Sequence, residues 1–160
     1  MPASAAISPP ASVSRAPARR RERWIAAVVF TACAGGLALG FRLAPDPSGL
    51  GTHAQLGLPQ CGMLAATSVP CPTCGCTTAF SLATHGRLFN AFHTQPTGAA
   101  LAVAAAVMVW ISGYAWWRGV SLAPLGRRLV GPIAVWTLAG LFLLAWCYKI
   151  VNVLNMQGAT

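Results

Sequence analysis

The chain has 160 residues, 56% hydrophobic and 8% charged, and eleven lysines and arginines against two carboxylates give a net charge of +9. A soluble surface carries roughly three times that share of charge, so the composition is that of a membrane protein. Glu22 and Asp46 are the only carboxylates, which nearly excludes paired-carboxylate acid–base chemistry and hard-cation sites built on carboxylate oxygens.

Residues 1–23 are rich in Ala, Ser, Pro and Arg and are expected to form a disordered basic tail. Arg15, Arg19, Arg20, Arg21 and Arg23 crowd before the first apolar run. That is where topology-setting charge belongs, and no aromatic residues interleave with them as a single-strand binder requires, so no nucleic-acid partner is expected. Three apolar runs follow, each close to the roughly 20 residues a helix needs to cross the bilayer. They are Trp24–Leu43, Gly98–Trp117 and Leu129–Tyr148, and they predict transmembrane helices over 24–43, 97–117 and 129–150. The first continues well past the Phe30-Thr31-Ala32-Cys33 box, so it is read as a retained anchor. Ala32, Gly36 and Gly40 repeat along it as a small-residue stripe suited to close packing. The expected partners are the lipid bilayer and, through that stripe, another membrane protein or a second copy.

Orientation follows from the cations. With the N-terminus cytoplasmic, the tail arginines share a side with Arg118, Arg127 and Arg128 of the loop 118–128. Arg42, Arg87 and Lys149 fall on the other side, a positive-inside bias. Trp24, Trp116 and Trp117 then mark the inner interface, and Trp146 and Tyr148 the outer one. Residues 44–96 face outward, as does a short C-terminus at 151–160.

The outer segment holds the chemistry. Residues 44–60 contain Pro45, Pro47, Gly49, Gly51, Gly57 and Pro59, which favour turns. Thr77 or Thr78 is expected to cap a short helix reaching His85, stopped by Gly86. A second short interfacial helix is expected over Leu88–His93, and Pro96 opens the second span. His53, His85, His93, Cys61, Cys71, Cys74 and Cys76 all lie here, whereas Cys33 and Cys147 fall within spans as packing residues.

Three chemistries fit Cys71-Pro72-Thr73-Cys74-Gly75-Cys76. Cys-Pro-x-Cys-Gly is a zinc-ribbon knuckle, and tetrahedral zinc needs four ligands. Cys71 and Cys74 supply two and Cys61 a third, with Cys76, His85 or His93 as candidate fourth. The same C-x-x-C entering a helix suits thiol–disulfide exchange, Cys71 attacking and Cys74 resolving. Static disulfides stapling the loop are the third reading, with three connectivities among four cysteines. Gly75 stands where covalent haem attachment requires histidine, and a Cys71–His85 or Cys71–His93 hydrolase lacks a well-placed group to orient its base beyond Asn90. No catalytic assignment is made beyond the redox alternative.

From Cys61 to Gly98 the chain resembles the small bacterial membrane proteins of domain-of-unknown-function family 2752. The shared features are Cys61, the Cys71-Pro72-Thr73-Cys74-Gly75-Cys76-Thr77 run, Gly86 and Pro96. Thr78 stands where the family usually has arginine, Gly62 where proline is frequent, and Gln95 where asparagine is common, so a role carried by that arginine does not transfer. Cys76 occupies a position that is usually apolar. The resemblance implies an integral protein of the bacterial plasma membrane and carries no established activity. The expected architecture is therefore all-α, with three transmembrane helices and a Cys-rich extracytoplasmic loop that binds a soft, zinc-like metal as a binding or structural module.

Overall fold

The computed structural model describes residues 15–59, 61–67 and 69–157. Among them are seven α-helices, one 3-10 helix and no strand: α1 (Arg15–Arg42), the 3-10 helix Thr52–Leu56, α2 (Gly62–Thr67), α3 (Cys76–Thr84), α4 (Leu88–Thr94), α5 (Pro96–Arg118), α6 (Ala123–Leu129) and α7 (Pro132–Gln157).

Three helices are long and apolar enough to cross a membrane, over Arg19–Arg42, Pro96–Arg118 and Pro132–Asn152. At 24, 23 and 21 residues and about 1.5 Å of rise per residue, each exceeds the roughly 30 Å of hydrocarbon. Their outward surfaces agree. Trp110, Ile133 and Trp136 are 82%, 80% and 77% exposed, which in water would form an aggregating patch but in lipid is the favoured state. The protein is an all-α membrane protein.

Three boundaries move from expectation. Residues 1–14 of the expected tail lie outside the described residues, but 15–23 are helical, because α1 begins at Arg15 and not at Trp24. Alanine, arginine and glutamate are good helix formers, and a helix already nucleated by the apolar run propagates into them at little cost. At the third span, Leu129 closes α6 and Pro132 opens α7. Proline disfavours helix in the residue before it but is suited to the first helical turn. That helix also runs beyond 150, to Gln157.

α1 and α5 form the main helix pair. Buried Ala26, Ala99, Ala102, Ser112 and Ala115 carry the packing, small side chains that let helices approach closely where lipid gives no hydrophobic drive. Phe30 lies over Gly113, where a Cβ would meet its ring at 3.5 Å. Gly40 of the small-residue stripe is occupied within the chain, since a Cβ there would stand 2.6 Å from the Phe80 ring of α3. The positions around Gly36 are open.

Ala79, Leu82, Ala91 and Ala99 form a small core joining α3 and α4 to the start of α5. Buried hydroxyls tie the preceding loop to it. Thr52 Oγ1 donates to Thr78 Oγ1 at 2.9 Å and accepts the Asp46 amide at 3.0 Å, and the Ser81 hydroxyl donates to the Leu43 carbonyl. These bonds satisfy backbone that would otherwise be stranded at the membrane surface.

Candidate metal centre

Pro72 and Gly75 build the turn that holds the thiols. The Cys74 amide donates to the Cys71 carbonyl and the Cys76 amide to the Thr73 carbonyl, each at 3.0 Å. Gly75 has φ +85, and a Cβ on it would stand 2.7 Å from the Gly49 carbonyl oxygen. Only glycine meets both demands, the left-handed backbone and the lack of space. From Gly75 the chain enters α3, with the Ala79 amide on the Gly75 carbonyl at 2.8 Å. Gly75 is thus the cap position, and Thr77 and Thr78 lie inside the helix, not at its cap.

Cys61 comes from the other side, at the start of α2, where its carbonyl accepts the Ala65 amide. This brings the sulfurs of Cys61, Cys71 and Cys74 within 4.8 Å of one another. The Cys71 and Cys74 sulfurs are 3.3 Å apart, and Thr73 Oγ1 is 3.3 Å from Cys71 Sγ. All six cysteines are free thiols. Tetrahedral zinc with sulfur at about 2.3 Å sets neighbouring sulfurs about 3.8 Å apart, so the three donors fit such an ion with small adjustments.

The remaining candidate ligands lie apart from this group. Cys76 Sγ is 3.4 Å from Thr97 Oγ1 on α5. His85 contacts the Ser81 carbonyl through Nδ1 at 2.8 Å and stacks on Phe41 with ring centroids 4.8 Å apart. His93 meets Tyr148 edge-on at 6.5 Å.

The three thiols differ in electrostatic setting. Cys61 is drawn down to about 7, mainly by the Leu64 amide, then by the thiols of Cys71 and Cys74. Burial pushes Cys74 up to about 12, helped by its two thiol neighbours. The C-x-x-C pair runs into a helix as expected, with Gly75 as cap and Cys76 the first residue of α3, and a second thiol, Cys61, stands just before α2.

Sequence reasoning missed three residues around the site. Gln95 is fully buried, its side-chain amide donating to the Pro72 carbonyl at 3.0 Å and to Thr97 Oγ1 at 3.1 Å. Trp146 donates its indole N–H to the Pro70 carbonyl at 3.1 Å. Lys149 donates to the Thr94 carbonyl at 3.0 Å and is 5% exposed. The apolar Ile150, Val151 and Val153 after Lys149 are the signal that the helix continues past it.

No curated protein and no solved structure matches the chain. Residues 61–110, which hold the thiol triad, α3, α4 and α5 as far as Trp110, match the model of a family described as protein of unknown function (DUF2752).

Proposed function

We propose that this is a multi-pass protein of the bacterial inner membrane whose extracytoplasmic loop holds a soft metal ion, zinc in the first instance, through Cys61, Cys71 and Cys74. The observation that carries this reading is the convergence of three sulfurs within 4.8 Å from two separate stretches of chain. A disulfide staple needs only pairs, whereas a third sulfur at the same spot is what a thiophilic ion requires. In this reading the N-terminus is cytoplasmic and the centre is a binding or structural module. The ion, when bound, cross-links α2 to the turn before α3, and the thiols give up their protons to hold it.

The test is metal analysis of full-length protein purified from membranes in detergent without chelator. About one zinc per chain is expected, lost on Cys71→Ser and on Cys61→Ser. A second reading is favoured by the 3.3 Å between Cys71 and Cys74 sulfurs, since closing to about 2.05 Å makes a disulfide. In that exchange the two thiols lose two protons and two electrons, reducing an incoming protein disulfide to two thiols. Metal-free protein whose Cys71–Cys74 pair follows the ambient thiol potential would overturn the metal reading in favour of this one.

A further inference from the structure

Lys149 stands out because it lies within a span and yet is turned away from lipid and water alike. An ionisable residue inside a membrane helix is costly to retain and has a partner. The Thr94 carbonyl accepts one of its protons but carries no compensating charge. Neither carboxylate of the chain pairs with it: Glu22 lies at the other end of the bundle beside Leu122 and Leu125, and Asp46 is bound to the Ser48 amide at 2.8 Å. Its Nζ reaches the thiol turn instead, 3.3 Å from where a Cβ on Gly75 would stand. The residues that flank Gly75 on that turn are Cys74 and Cys76.

We propose that Lys149 is the buried counter-charge of the thiolate centre, brought to the Cys74–Gly75–Cys76 turn by α7. The inference rests on the metal reading above. Three thiolates and a divalent ion sum to one negative charge, and a single ammonium beside them leaves the loaded centre neutral. In a low-dielectric setting neutrality matters, because an uncompensated buried charge weakens the complex that creates it. Lys149 is a positioning residue, touching the turn and not the ion.

A docking role through the Thr94 carbonyl alone makes a different prediction, and two substitutions separate them. Lys149→Gln keeps a donor for Thr94 and removes the charge, while Lys149→Arg keeps the charge. The measurement is cobalt(II) titration of the detergent-solubilised full chain, read by the thiolate-to-cobalt charge-transfer band. Lys149→Gln is expected to bind roughly ten- to a hundredfold more weakly, and Lys149→Arg within about threefold of the unmodified protein. Lys149→Met replaces the glutamine variant if that one does not accumulate. Unchanged affinity in the uncharged variant, or equal loss in the arginine variant, overturns this inference alone. If the unmodified protein develops no band, the metal reading itself fails and the counter-charge role falls with it.

Discussion

Cys61 and Cys74 share one cluster yet titrate in opposite directions, for reasons local to each. The Leu64 amide stabilises a Cys61 thiolate, whereas Cys74 loses hydration on burial. A depressed thiol is ionised above its own value and protonated below it. In metal-free protein, Cys61 with a value of about 7 is therefore about half thiolate at neutral pH, and Cys74 at about 12 is almost wholly protonated. Iodoacetamide at pH 7 is expected to label Cys61 well before Cys74, with the Cys61 rate falling as pH drops below 7. Mass spectrometry of timed digests checks the order, and Cys74 labelled first would contradict the assigned environments. The thiols themselves were legible in the sequence through the C-P-x-C-G spacing. The ordering was not, because Leu64 matters only once α2 exists, and a Gly- and Pro-rich approach gave no sign of that helix. Cys76 illustrates the same limit: one residue past Gly75 the chain becomes helical, and that step carries its sulfur to Thr97 on α5.

Among the elements, α3 and α5 approach each other closely at Gly98. A Cβ on Gly98 would stand 2.5 Å from the Cys76 carbonyl oxygen and 2.8 Å from its Cα. Backbone cannot rotate aside as a side chain can, so Gly98→Ala has to pry the two helices apart, at a cost of about 1–3 kcal/mol. Gly36 has open space around it, and Gly36→Ala should gain up to about 1 kcal/mol from helix propensity. Thermal unfolding in detergent is expected to place Gly98→Ala below the unmodified protein and Gly36→Ala level with it or above. A Gly98→Ala protein of undiminished Tm would refute the close approach. Sequence reading found α3, α4 and the opening of α5 because Gly86 and Pro96 punctuate them unmistakably. It left the 3-10 helix Thr52–Leu56 as turn, since what fixes that segment is the long-range Thr52–Thr78 hydrogen bond, which no local pattern announces.

The whole molecule has two chemically distinct ends. The start of α1 and the end of α5 meet where Arg23 lies against Gly119, a Cβ there standing 3.3 Å from its Nε. Arg127 and Arg128 belong to α6, the connection from α5 to α7. The thiol centre, Gln95 and the later half of α7 gather at the opposite end. The cationic end is proposed to be cytoplasmic, so an alkaline phosphatase fusion after Pro96 should be active in cells and one after Arg128 inactive. The reverse pattern would invert the topology and put the thiols in the cytoplasm. Span number and charge asymmetry were readable from hydropathy and arginine placement alone. The inward turn of Lys149 was not, because a lysine after an apolar run reads as the end of a span until its partner, the Thr94 carbonyl, is known.

The attachment of α7 also has a consequence in time. Trp146 bonds a carbonyl 76 positions earlier and Lys149 one 55 positions earlier. A chain made from its N-terminus completes α1, the loop and α5 before either residue exists. The thiol turn is thus made before α7, which bonds the neighbouring Pro70 and Thr94 carbonyls. If the proposed metal centre loads during synthesis, capture precedes the docking of α7, an order set by where Trp146 and Lys149 fall along the chain.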